Sequence, residues 1–192
     1  MTRILIFGGA RSGKSAYAEQ LAKDFCAAGK SVIYVATAIT SVTLKDEEMQ
    51  QRIAHHRVRR PAHWITVEEA LELGSLIRTH SKPDTVLLID CLTVWLSNLL
   101  FSENRDYPEM GQVKPPEKFT YERQTLLDAL AQAAGDIILV SNEVGMGIVP
   151  MGAVSRWFVD EAGRLNQAVA KTCDQVVWVA AGLPLYLKGQ SC

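Results

Sequence analysis

Cysteine is scarce in this chain and scattered. The four cysteines among 192 residues are Cys26, Cys91, Cys173 and Cys192, with no C-x-x-C pair and no histidine at ligand spacing. A structural zinc site and a disulfide framework are both unexpected on that basis. Cys91 and Cys173 read as small buried apolar residues. A basic excess is also missing: 20 basic and 21 acidic residues give a formal net charge of −1, which argues against a nucleic-acid-binding domain. Any anion must therefore be gripped locally. No apolar run is long enough for a membrane span, because the stretch from Val86 to Leu100 is interrupted by Asp90, Thr93, Ser97 and Asn98. The N-terminus runs directly into a strand and a glycine loop, unlike a cleaved signal, so a cytoplasmic protein is expected. An N-K-x-D base-reading sequence is absent as well, which counts against a G-protein switch.

What is present is an ordinary globular composition, 48% apolar and 21% charged, at a length suited to one domain over residues 1–192. Solid apolar runs at Ile4 to Phe7, Ser31 to Ala36, Val86 to Ile89, Ile137 to Val140 and Gln175 to Ala180 read as strands buried on both faces. Between them the spacing predicts helices over Ser15 to Ala28, Lys45 to Arg57, Glu68 to Thr79, Leu92 to Leu100, Tyr121 to Ala134 and Val154 to Lys171. Gly29-Lys30 closes the first helix. Strands alternating with helices imply an α/β fold, a P-loop NTPase-like parallel sheet with helices on both faces. Ser102 to Lys118, rich in proline, glycine and charge, reads as an exposed excursion, and the tail from Gly182 to Cys192 as a short hairpin or loop.

Gly8-Gly9-Ala10-Arg11-Ser12-Gly13-Lys14-Ser15 matches G-x-x-x-x-G-K-[S/T] between a predicted strand and a predicted helix. Glycines let successive backbone N–H groups turn toward a phosphate, and the helix N-terminus adds its dipole. Lys14 would reach the β- and γ-phosphates of ATP or GTP, and the Ser15 hydroxyl would ligate Mg²⁺. An acid at the end of a neighbouring buried strand completes such a site, and Asp90 fits. Asp90 could equally cap the helix beginning at Leu92.

His55-His56 lies near the end of the polar helix, ahead of Arg57, Val58, Arg59 and Arg60. Helical spacing puts Met49, Ile53 and His56 on one side and turns His55 about 100° away. A neutral imidazole is a competent nucleophile toward phosphorus, and arginines would hold the phosphates. The plain alternative is a pair of surface histidines at a helix C-terminus. Asn142-Glu143-Val144-Gly145-Met146-Gly147 follows a buried strand, where Glu143 either assists Mg²⁺ or a substrate hydroxyl, or serves a turn. The four tryptophans, Trp64, Trp95, Trp157 and Trp178, read as core or interface residues.

The phosphate loop, Tyr34-Val35-Ala36-Thr37, Asp46-Glu47-Glu48-Met49 and Arg52-Ile53-Ala54-His55-His56-Arg57 together resemble the bifunctional adenosylcobinamide kinase/adenosylcobinamide-phosphate guanylyltransferase family. So do Arg60-Pro61-Ala62-His63-Trp64, Leu88-Ile89-Asp90-Cys91-Leu92-Thr93, Ser97-Asn98-Leu99-Leu100, the stretch Ser141 to Pro150, and Ala162-Gly163-Arg164-Leu165-Asn166-Gln167. The resemblance spans nearly the whole chain. It implies phosphorylation of the aminopropanol hydroxyl of adenosylcobinamide, followed by transfer of GMP from GTP through a guanylylated histidine, with pyrophosphate released. By position it makes His56 the GMP carrier and Glu68 and Asp90 nucleotide-site residues, with Ala36, Thr37 and Ala38 beside the loop and Arg57 to Arg60 on the phosphates. It further implies a homotrimer. Two departures stand out: Ile39 to Leu44 is somewhat long, and Ser102 to Lys118 does not align with the pattern and could shape the corrinoid pocket. The competing functions are a small-molecule kinase with structural histidines, or a nucleotide-binding switch.

Overall fold

The computed structural model of the chain describes residues 1–38, 60–103 and 105–189. The predicted helix from Lys45 to Arg57 lies outside these residues, and so do His55, His56, Arg57, Val58 and Arg59.

Seven described strands form one sheet in the order β3-β2-β4-β5-β1-β6-β7. They are β1 (Arg3–Gly8), β2 (Ser31–Ala36), β3 (Ile65–Glu68), β4 (Thr85–Asp90), β5 (Asp136–Asn142), β6 (Gln175–Ala180) and β7 (Leu183–Lys188). The first six are mutually parallel and β7 alone runs antiparallel, against β6. The helices are α1 (Lys14–Ala27), α2 (Leu73–His80), α3 (Leu92–Leu100), α4 (Glu117–Gln132) and α5 (Ala153–Thr172).

Successive residues of a strand point to opposite sides of the sheet, so each apolar run divides into two sets. Leu5, Ile33, Val35, Leu87, Ile89, Ile137 and Leu139 join Leu73, Ile77, Trp95, Leu99, Leu126, Leu130, Leu165 and Val169 from α2 to α5 in one core. Ile4, Ile6, Val32, Tyr34, Val86, Leu88, Ile138 and Val140 face the other way, onto Ala18 and Ala22 of α1. Burial on both faces is the reason these strands carry unbroken apolar runs instead of alternating ones.

Two local readings change, and a third is sharpened. Glu68 does not open a helix; it ends β3, and the following helix starts at Leu73. The residues between form a turn in which the Glu69 carboxylate takes the N–H groups of Leu71 and Glu72, both at 2.8 Å. That local side-chain bonding competes with helix and delays it. The helix expected from Tyr121 begins four residues earlier, at Glu117, just after Pro116. The tail is a hairpin whose turn residues Ala181 (φ 50°) and Gly182 (φ 79°) are both left-handed, as a two-residue type I′ connection needs. Cys91 and Cys173 are buried, as expected.

Parallel strands put their C-terminal ends on one edge. Gly8, Ala36, Glu68, Asp90 and Asn142 all stand there, because Gly8 pairs with Asn142, Asp90 with Ala36, and Ala36 with Glu68.

Candidate active site

β1 ends at Gly8 and α1 begins at Lys14, so the phosphate loop is the short connection between the central strand and its covering helix. Gly13 takes φ 97°, a conformation closed to most side chains, and delivers the chain into α1, where the Tyr17 N–H bonds the Gly13 carbonyl at 3.0 Å. The Lys14 side chain is only 8% exposed, and its ammonium donates to the Gly9 carbonyl at 3.0 Å. The cation is thus held across the loop rather than free in water. Ser15, next in the helix, is half-buried.

The loop is braced from outside by the β6-β7 hairpin. A Cβ on Gly8 would stand 2.3 Å from the Val179 carbonyl oxygen, and one on Gly13 would stand 2.9 Å from the Cα of Gly182. The Gly182 N–H closes the contact by donating to the Ser12 carbonyl at 2.8 Å. On the other side, Glu143 N–H donates to the Gly8 carbonyl at 2.9 Å. Two of the motif's glycines therefore answer a close backbone approach as well as a phosphate.

Asp90 ends β4, but β4 is not the immediate neighbour of β1; β5 lies between them. At about 4.8 Å per strand this sets Asp90 about 10 Å sideways from the β1 line. Helix α1 packs across β4 and β5 as well as β1. The cap of α3 is Cys91, with no side-chain capping bond, so the reading of Asp90 as a helix cap falls. Instead its Oδ2 accepts the Tyr34 hydroxyl at 3.2 Å, and the Arg60 guanidinium stacks on the Tyr34 ring, 3.3 Å from its centroid. Burial, and after it the Asp90 carboxylate, push the Tyr34 phenol far above its ordinary range, so it stays a donor. A serine hydroxyl and a carboxylate are hard oxygen donors, the set that suits Mg²⁺ with water completing the shell.

Ala36, Thr37 and Ala38, expected beside the loop, stand at or just after the end of β2, with β4 and β5 between them and β1; Glu68 was expected at the nucleotide site. Ala36 lies two strands beyond β5, and Glu68, exposed, lies on the edge strand β3. Thr37 is fully buried: its Oγ1 donates to the Cys91 carbonyl at 2.9 Å and accepts the Cys91 N–H at 2.8 Å. Asn98 adds a bond to the Thr37 carbonyl at 2.8 Å. Thr37 thus clips β2 to the β4-α3 junction, with its one hydroxyl proton already committed to the Cys91 carbonyl. Ala38 is half-buried at the end of the described stretch. Glu143 serves the turn, its Oε1 accepting the Gly145 N–H at 2.5 Å.

Residues 4–187 match the family model described as cobinamide kinase / cobinamide phosphate guanyltransferase. The chain belongs to that family. It is 48% identical over 188 residues to the bifunctional adenosylcobalamin biosynthesis protein CobP of Pseudomonas aeruginosa, covering 98% of each chain. The bifunctional adenosylcobalamin biosynthesis protein CobU of Escherichia coli is 41% identical over 194 residues, covering 96% of this chain and 99% of that one. Among solved structures, the flagellar accessory protein FlaH from Methanocaldococcus jannaschii aligns with a TM-score of 0.51, over 98% of this chain and 79% of that chain. At 14% identity that likeness concerns the fold alone, an α/β P-loop NTPase-like sheet.

Within this cobinamide kinase family member, the most informative residue missed from the sequence is Tyr34. A tyrosine inside Val32-Ile33-Tyr34-Val35 was the available signal, since a buried hydroxyl needs a partner. Thr93, which accepts the Asn142 N–H at 2.7 Å, had no comparable signal.

Proposed function

We propose that this family member works in two steps, first phosphorylating adenosylcobinamide with ATP or GTP and then transferring GMP to the product. The observation that carries the reading is the phosphate loop, with the Lys14 ammonium already positioned over the backbone that would cradle the phosphates. In the first step the acceptor hydroxyl oxygen attacks the γ-phosphorus, the bond to the β-phosphate oxygen breaks, and the nucleoside diphosphate leaves. Backbone N–H groups of Gly9 to Lys14 and the Lys14 ammonium oppose the charge gathering on the transferring group. Ser15 and Asp90 would hold Mg²⁺, which supplies further neutralisation of phosphate charge. Tyr34 orients the Asp90 carboxylate for that task.

In the second step an imidazole nitrogen of His56 attacks the α-phosphorus of GTP. Pyrophosphate leaves and a phosphoramidate forms. The phosphate oxygen of adenosylcobinamide phosphate then displaces the imidazole, giving adenosylcobinamide-GDP and free His56. Arg57, Val58, Arg59 and Arg60 would line the phosphates there, with Ala36, Ala38 and Glu68 toward the nucleoside. Arg60 is the described end of that run, stacked on the tyrosine that holds Asp90. The reading includes a cytoplasmic homotrimer; among the described residues no helix is long and apolar enough to cross a membrane.

The test is intact mass after incubation with Mg²⁺ and GTP, beside His56→Ala. We expect a gain of about 345 Da, one GMP moiety, labile to acid, stable to alkali and missing from the variant. An adduct that persists in His56→Ala moves the nucleophile elsewhere. A folded, GTP-binding protein with no adduct leaves a kinase alone.

A further inference from the structure

The loop between β5 and α5 displays an unusual set of side chains. Met146, Ile148, Val149 and Met151 are 76%, 97%, 71% and 90% exposed. Single exposed apolar residues are ordinary, but four within six residues form a patch that marks a binding surface. The loop starts at the phosphate site, where the Glu143 N–H bonds the Gly8 carbonyl at 2.9 Å. It ends at the first turn of α5, where the Ala153 N–H bonds the Glu109 carbonyl at 3.0 Å and so meets the 102–118 excursion. Both ends are pinned. The Glu143 carboxylate holds the Gly145 N–H, and Arg156 donates to the carbonyls of Pro150 and Met151. Beyond the loop, the excursion and α5 enclose an open cleft of about 290 Å³, lined among others by Gln112, Val113, Arg156, Trp157 and Asp160.

We propose that residues 144–151 and this cleft carry the corrin body of the acceptor substrate. The proposal rests on the cobinamide-kinase reading above and assigns the acceptor's seat within it. The reacting hydroxyl must come within about 3.5 Å of the transferring phosphorus, so the macrocycle has to lie on whatever adjoins the phosphate loop. The 144–151 loop follows directly on Glu143, whose N–H bonds the Gly8 carbonyl. A corrin presents broad apolar ring faces and a rim of amide arms. Methionine and isoleucine side chains suit the faces, methionine because its unbranched thioether adapts to an irregular shape. The amide of Gln112, the Asp160 carboxylate and the Arg156 guanidinium suit the arms. Remote contacts of this kind supply the binding energy that positions a large substrate for reaction at one small group.

The test compares the full chain with a Met146→Ser, Ile148→Ser, Met151→Ser variant in equilibrium dialysis against adenosylcobinamide, and separately against a non-hydrolysable GTP analogue. We expect the corrinoid Kd to rise about tenfold or more in the variant while the nucleotide Kd changes by less than about twofold. Ile148→Asp alone, at a position 97% exposed and so without a packing role, should weaken corrinoid binding severalfold, and Ile148→Leu should not. A parent protein that binds corrinoid and variants that bind it equally well would overturn the loop assignment and leave the enzyme reading intact. A parent protein that binds the nucleotide but no corrinoid would remove the enzyme reading itself, and the seat with it. Variants that sediment as smaller assemblies than the parent would make the patch a contact between copies of this chain, which also overturns the proposal.

Discussion

Two neighbouring regions of the sheet's C-terminal edge are built differently. Around Gly8 to Lys14 the site is made of backbone: Gly182 N–H on Ser12, Glu143 N–H on Gly8, and Lys14 on the Gly9 carbonyl. Around Asp90 it is made of side chains: Arg60 stacked on Tyr34, Tyr34 bonded to Asp90, and Thr37 clipped to Cys91. A backbone cradle has little rotamer freedom to lose and presents a fixed set of donors, as phosphate binding needs. A side-chain network can be adjusted one residue at a time. The second region also leads straight through Arg60 into the segment that carries His56.

The comparison breaks most sharply at Lys14. Lys14→Ala should lower the phosphoryl-transfer rate about a thousandfold, on the scale of losing a charge-stabilising group, with the circular dichroism spectrum unchanged. A loss under about tenfold would mean the loop's backbone carries the catalysis without it. Gly8→Ala should cost about 2–3 kcal/mol in urea unfolding, because the new methyl meets the Val179 carbonyl oxygen at 2.3 Å. Gly9→Ala has nothing within 4 Å of its added Cβ and should stay within about 0.5 kcal/mol of the parent. Equal costs for the two glycines would show that the hairpin does not brace the loop.

In the side-chain region, Tyr34→Phe deletes the donor to Asp90 at 3.2 Å and keeps the ring under Arg60. We expect the Mg²⁺ concentration for half-maximal kinase rate to rise about tenfold, the scale of one hydrogen bond to a charged group. An unchanged Mg²⁺ curve with lowered stability would make Tyr34 a packing residue only.

A separate effect is on pH. Burial, with Asp90 adding to it, pushes the Cys91 thiol up to about 11, and burial pushes Cys173 up to about 12. These folded-state values exceed the ordinary value of 9, so the unfolded chain ionises first. The thiols' contribution to stability should be constant below pH 9 and should be lost as pH rises from about 9 toward 11 and 12. Urea unfolding at pH 8 and at pH 10.5 measures it, and equal midpoints would show the thiols to be hydrated. Alkylation at pH 8 should reach Cys26, which is half-buried, before Cys91 or Cys173.

Much of this architecture was legible in the chain. The five solid apolar runs became five of the parallel strands, and the glycine motif sits between β1 and α1 as its spacing requires. One strand escaped, and another was read only as a hairpin or loop, for physical reasons. β3, Ile65–Glu68, is a short edge strand with Ile65, Thr66 and Glu68 exposed, so it lacks the apolar run that marks its neighbours. β7 is likewise exposed along Leu183, Leu185 and Leu187, which left hairpin and loop undivided in the sequence. The site was legible where one local segment builds it, in the phosphate loop. It was opaque where strand order builds it: residues 36 and 90 are far apart in sequence, yet they pair in register at one edge.

The sequence by itself determined the fold class, the family and the phosphate loop, because those rest on local periodicity and on a contiguous motif whose chemistry is carried by its own backbone. Only the tertiary structure decided that β5 separates Asp90 from the loop, that Thr37 is a clip and Tyr34 the partner of Asp90, and that the tail hairpin presses on Gly8 and Gly13. Those relations depend on which strands lie side by side and in what register. Sheet order is settled by the packing of whole elements on both faces, a collective quantity that no single stretch of residues encodes.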